Sequence, residues 1–208
     1  MAYNFKKEEK NFYLPGKKPE LIDVPKMNYI AVHGQGDPND ENSEYKQAIS
    51  MLYAVAYTIK MSKNGSYQIP GYFDFVVPPL EGLWWQEGIK GVDYNHKEKF
   101  KFISMIRMPS FVTNETFEWA NQEAEKKKHL DLEKVNLIQL DEGKCVQVMH
   151  IGAYDDEPQT VEKMHQFIAD NNLQLDFSDH RHHHEIYLSD SRRTKLENLK
   201  TVIRIPVK

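Results

Sequence analysis

Hydrophobic and polar positions run along this chain in an order that predicts strand, helix, strand, strand, twice over. In PKMNYIAVHGQGDPND, Asn28, Ile30 and Val32 alternate with Tyr29, Ala31 and His33, the period of a strand, and GQGDPND breaks it with turn residues. SEYKQAISMLYAVAYTIKMSKNG follows, with Tyr45, Ile49, Leu52, Tyr53, Ala56 and Ile59 on one helical stripe. Asp40 or Asn42 can cap that helix and Asn64-Gly65 can end it. YFDFVVPP predicts a strand stopped by Pro78-Pro79, LEGLWWQEG a turn or loop carrying two tryptophans, and KFKFISMIRMP, Lys99 to Pro109, a strong strand. Thr113 caps a further helix with Phe117, Ala120 and Ala124 on one side. VNLIQLDEGKCVQVMHI is a hairpin about Asp141-Glu142-Gly143. TVEKMHQFIADNN is a helix with Val161, Met164 and Ile168 on one face, and EIYLSD and KTVIRIPVK are two more strands.

The halves echo one another. HGQGDPND after the first strand is similar to HIGAYDDEP after the later one: a histidine, a glycine turn, acids with proline, then an amphipathic helix. The expected fold class is α+β, two βαββ units, about 22–108 and 135–208, related by a pseudo-twofold axis around a central ligand cleft. No linker separates two domains, so 21–208 is expected as one domain. Residues 1–20 are expected as a polar, lysine-rich arm that packs only locally, if at all.

Composition narrows the function. Aromatic residues are 12% of 208, with 11 Tyr, 10 Phe and 3 Trp, which favours a pocket that uses rings. The formal net charge is -4 with acids and bases interspersed, so no basic footprint for nucleic acid or anionic membrane is present. One cysteine, Cys145, makes no internal disulfide and no thiol metal site. The N-terminus lacks the apolar segment of a signal peptide and no run approaches the ~20 residues of a membrane span, so a cytoplasmic protein is expected. Neither GxSxG nor a Cys-His pair is present to support serine or cysteine nucleophiles.

The densest chemistry lies in DHRHHHEIYLSD, Asp179 to Asp190. On a strand, His182, His184, Ile186 and Leu188 share one face and His183, Glu185 and Tyr187 the other. Three adjacent histidines therefore cannot converge on one ion; no metal is expected, and the histidines start the strand with hydrogen bonds. Ile186 and Leu188 mark their face as the core side. Glu185 stands between His183 and Tyr187, and glutamates are seldom buried without a partner or a task. It can serve as a counter-ion for a cationic ligand, as a general base or acid, or as one half of a salt bridge to Arg107, Arg192 or Arg193.

EGKCVQVMHIGAYDDEP, HHHEIYLSDSRRT and KTVIRIPVK, with PPLEGLWW in the first half, resemble the GyrI-like small-molecule-binding domain, over about Ile22 to Lys208. HHEIYLSD together with EGLWW resembles its stand-alone subgroup, although Ser191 stands where that pattern has proline. The resemblance implies two βαββ halves around an aromatic cleft, with Glu185 at the position where drug-sensing relatives contact cationic drugs. It also implies hydrolysis of the cyclopropane of planar DNA-alkylating natural products, without metal or organic cofactor and without direct nucleic acid binding. Glu185 is then the expected base, with Tyr187 beside it and Tyr53, Tyr57 and Tyr154 as further candidate donors or wall residues. Trp84 and Trp85, adjacent on extended chain, face opposite ways, so one of them is expected as a stacking wall, or both as anchors of the loop, and Tyr53 and Tyr57 as hydroxyls toward the cleft or as core. Phe73 and Met108 belong to the sheet core and can floor a pocket, Tyr154 can reach the cleft mouth, and His183 flanks Glu185. His33 and His150 are expected to be structural. The rival expectation is a non-catalytic protein that sequesters drugs or regulates a protein partner through the same cleft.

Overall fold

The structure, a computed structural model, describes residues 1–208. Eight strands form one antiparallel sheet: β1 Glu20–Val24, β2 Met27–Gln35, β3 Leu80–Trp85, β4 Lys101–Arg107, β5 Asn136–Leu140, β6 Gly143–Ile151, β7 His183–Tyr187 and β8 Lys200–Pro206. Their order across the sheet is β1-β6-β8-β7-β3-β4-β2-β5. Exchanging β1 to β4 with β5 to β8 reproduces that order read backwards. β1 pairs with β6 and β5 with β2, so each half takes its outer strand from the other. The fold is α+β, with the sheet curled into a half-barrel.

Helices cover one face, here the helix face. α3, Glu44–Met61, buries Ala48, Leu52, Val55, Ala56 and Ile59 in one cluster with Ile30, Val32, Phe102 and Ile106. Full burial of each large aliphatic side chain contributes roughly 1.5–3 kcal/mol. Its cap is Ser43, whose Oγ accepts from the Lys46 amide at 3.3 Å, in place of Asp40 or Asn42. α4, Asn114–Lys128, is capped by Thr113 as its sequence predicts and packs outside α3. α5, Glu157–Asp170, buries Met164 and Ile168 against Val146, Val148, Ile203 and Ile205 of the second half. No helix is long and apolar enough to cross a membrane.

The N-terminal arm corrects its expectation. α1, Phe5–Glu8, and α2, Lys10–Tyr13, bury Phe5 and Tyr13 in the main core. The Phe12 carbonyl accepts from Arg204 Nη2, and the Tyr13 hydroxyl donates to Glu81 at 3.4 Å. The arm thus covers part of the sheet face opposite the helices, here the arm face.

Two strands also fall elsewhere than expected. YFDFVVPP is not a ladder strand; Phe75 makes only an isolated bridge to Tyr3. Pro78-Pro79 precede the strand instead of ending one, and LEGLWW is β3, central between β7 and β4. A strand buried on both faces does not alternate, and a glycine beside two tryptophans disguises it further. β1 carries Ile22 and Val24 just before Pro25, too short a segment to stand out.

Candidate functional site

The two halves meet where β3 runs antiparallel to β7, pairing Gly82 with Glu185 and Trp84 with His183. Strand alternation places Gly82, Trp84, His183, Glu185 and Tyr187 on the helix face. Trp84 Nε1 donates to the Tyr187 hydroxyl at 2.8 Å across Gly82. A Cβ on residue 82 would lie 2.7 Å from that nitrogen and 3.0 Å from that oxygen, so the bridge requires glycine. Tyr45 of α3, Phe100 and Phe102 surround the indole, with ring centroids 5.2–5.5 Å away. Tyr154 stands edge-on to Tyr187 at 5.8 Å. Burial pushes the phenols of Tyr187 and Tyr45 well up, so both remain protonated donors.

Glu185 is 8% exposed, and its Oε1 lies 3.1 Å from His183 Nε2. The arginines that could have neutralised it are engaged elsewhere. Arg107 pairs with Glu9 at 2.7 Å, and Arg192 and Arg193 reach Asp190 at 2.9 and 3.8 Å. The salt-bridge reading of Glu185 therefore has no arginine in the structure.

A second carboxyl lies beside it. Glu157, the first residue of α5, is wholly buried; its Oε2 accepts from the Tyr94 hydroxyl at 3.2 Å, and its Oε1 has no partner. Glu157, His183 and Glu185 bring oxygen and nitrogen atoms within 4.8 Å of one another, a spacing one cation could also bridge. Burial, and next the charge of Glu185, push the Glu157 carboxyl well above the usual carboxylate range. The N-terminus of α5 acts in the opposite direction, by about 0.3–1 kcal/mol. That is less than the several kcal/mol that burying each charge costs.

His184 points to the arm face. Its Nδ1 lies 2.8 Å from Glu142 and its Nε2 3.0 Å from Glu81, all three buried. Burial lowers its affinity for a proton, but the charges of Glu142 and Glu81 prevail and its pKa rises to about 9. Arg204 donates to Glu142 at 2.9 Å, and the Glu142 carboxyl falls to about 2 because His184 and Arg204 outweigh burial. Glu142 also neighbours Cys145, whose thiol burial pushes up to about 12 and so keeps unreactive.

Of the expected site residues, Trp84, Tyr154, His183, Glu185 and Tyr187 come together. Tyr53 and Tyr57 lie further along α3 with centroids 6.1 Å apart; Tyr53 faces the Asp190–Arg192 turn and Tyr57 is half exposed. Of the two tryptophans Trp84 joins the group that comes together, while Trp85 turns to the other face and stacks on His182 at 4.2 Å, as the alternation of adjacent strand residues predicts. Two expectations need correction. Met108 is buried in the main core as expected, but Phe73 is 39% exposed, and the two line a separate groove of about 360 Å³ with Tyr3, Phe5 and Arg107. The histidine face is not simply the core side, because His183, His184, Glu185 and Ile186 are all buried, under helices on one face and the arm on the other. His33 and His150 are not equivalent either: His33 is exposed, while His150 is buried with Thr160 at 2.8 Å and the Ala153 carbonyl at 3.0 Å. Glu157, Tyr45 and Tyr94 escaped the sequence reading. The acid run before proline in DDEP is the one signal for Glu157, while Tyr45 reads as part of an apolar stripe.

The GyrI-like small molecule binding domain family matches residues 17–208. A hydrolase from Listeria innocua is 48% identical over the full length of both chains, with a TM-score of 0.90. An uncharacterized conserved protein from Listeria innocua is 50% identical over both full chains, with a TM-score of 0.94. The EcmrR C-terminal domain shares the fold at 15% identity and a TM-score of 0.58, over 92% of this chain and 97% of that one. No curated protein matches the chain.

Proposed function

The chain belongs to the GyrI-like small-molecule-binding family, and from that premise we propose that it is a cofactor-independent hydrolase that opens the cyclopropane of planar, DNA-alkylating cyclopropanoid compounds. The observation that carries the reading is Glu185, a buried carboxylate on an aromatic face with no arginine against it. The similarity to a Listeria innocua hydrolase over the whole chain supports the reaction class.

The substrate is a flat spirocyclopropyl dienone held among Trp84, Tyr154 and Tyr187, with Tyr53 and Tyr57 toward the outer end. Glu185 orients a water and takes its proton as the water oxygen bonds to the cyclopropane carbon. The ring C–C bond breaks, and its electron pair passes through the dienone to the carbonyl oxygen as a phenolate. A tyrosine hydroxyl stabilises that oxygen by donating a hydrogen bond and keeps its proton, and the proton that Glu185 took from water passes to the phenolate through solvent as the product leaves. Tyr187 suits this task because its oxygen accepts from Trp84, which fixes the hydroxyl beside Glu185 on the same strand face. Aromatic walls supply affinity for a neutral planar ring system.

The test is turnover by the intact protein with a several-fold excess of a spirocyclopropyl dienone. Ring-opened product beyond one equivalent per chain supports hydrolysis. Tight binding with no product beyond the buffer rate assigns the same cleft to a sequestering or sensing protein and ends the enzymatic reading.

A further inference from the structure

The reaction above needs one free carboxylate, and the fold buries two beside each other. The groups facing Glu157 are Glu185, His183 and Tyr187 from β7, the Tyr94 hydroxyl from the connection before β4, and Tyr154 and Asp155 from the turn before α5. Lys97 holds Asp155 at the surface at 2.5 Å, and no lysine or arginine pairs with Glu157 or Glu185. Tyr94 satisfies Oε2 of Glu157 and leaves Oε1 bare. A bare, buried carboxylate oxygen beside a second carboxylate is unfavourable twice over, through lost hydration and like charge. A proton on Oε1 removes both faults, because it turns an orphan acceptor into a donor for its neighbour. Paired carboxyl groups in dry sites share a proton for this reason.

We infer that Glu157 holds a proton at neutral pH and donates it in a hydrogen bond to Glu185, leaving Glu185 as the free carboxylate that takes the proton of water. Burial and the charge of Glu185 raise the Glu157 carboxyl in the direction this requires. Glu157 is a positioning residue: it holds the base in its ionised form and aims it, and the reacting water's proton passes to Glu185. The catalytic consequence rests on the hydrolase reading, but the shared proton does not.

The direct test is carbon-13 NMR of protein labelled at the glutamate side-chain carboxyls, titrated without substrate and assigned with Glu157→Gln. The expected result is a Glu157 carboxyl still protonated at pH 7. Both carboxyls ionised at pH 7 would overturn the inference. So would one metal ion per chain in untagged protein, lost on Glu157→Gln, because a cation would then hold the pair. Turnover supplies a second readout. Glu157→Gln keeps a neutral donor and should hold activity within about tenfold, with its acid limb in place. Glu157→Leu removes the donor and should move the acid limb of the pH–rate profile up by about one pH unit or more. Equal limbs in the two variants would contradict the inference. If the wild type shows no turnover, the hydrolase reading fails while the NMR titration still decides the shared proton.

Discussion

Trp84 and Tyr187 are joined across Gly82 by a 2.8 Å hydrogen bond that links the two halves of the chain at the centre of the sheet. The two residues are 103 positions apart, one on β3 and one on β7. The bond ties β3 to β7 beside Glu185 and requires that nothing project from residue 82.

Gly82→Ala should therefore break the bridge. Its methyl would meet the indole nitrogen at 2.7 Å, and overpacking of this kind costs about 1–3 kcal/mol. Urea unfolding should show that loss, and indole fluorescence should change with it. A variant with wild-type midpoint and spectrum would mean that the strands slide apart at no cost.

Tyr187→Phe leaves the Trp84 N–H buried with no acceptor, a loss of about 1–3 kcal/mol. Turnover should fall as well, because the donor toward the developing phenolate is gone. Stability lost with turnover intact would restrict Tyr187 to the bridge.

The arm makes a third prediction. Phe5 is 5% exposed in the main core, so Phe5→Ala should cost about 3–5 kcal/mol in a denaturant titration. A change below 1 kcal/mol would show that the arm is dispensable.

His184 makes a fourth, through pH. Its folded pKa, about 9, lies above the ordinary 6.5, so its stabilisation is fully present below about pH 6.5 and is lost as pH rises through 9. A shift of that size is worth on the order of 3 kcal/mol. Glu142 works the other way: at about 2 it lies below the ordinary 4.5, and its stabilisation is lost as pH falls toward 2. The two values describe largely one interaction and are counted once. Melting temperature should decline between pH 7 and 10 in the wild type. His184→Gln should lower stability by about 3–5 kcal/mol at pH 7, since it leaves two buried carboxylates short of a cation, and should flatten that decline. An unchanged slope would place the alkaline loss elsewhere.

Much of this fold was legible because amphipathic helices and half-buried strands carry their periods openly. Ala56 and Ile59 of α3 and Met164 and Ile168 of α5 lie where their spacing put them. β3 was not legible, since a strand covered on both faces has no alternation to read. The arm was missed because Phe5 and Tyr13 are isolated among lysines and their burial depends on distant partners such as Arg107 and Glu81. At the site, alternation alone put His183, Glu185 and Tyr187 on one face. Glu157 approaches them through the docking of α5, and nothing in the local sequence encodes that approach.

Whether Glu185 activates water is decided by multiple-turnover hydrolysis of a spirocyclopropyl dienone by Glu185→Gln. Melting temperature and affinity for a neutral planar analogue are measured on the same sample. With the base removed, the rate should fall by about 10² to 10⁴ while affinity changes little, because the aromatic rings remain. Unchanged hydrolysis in a folded variant would rule Glu185 out as the base.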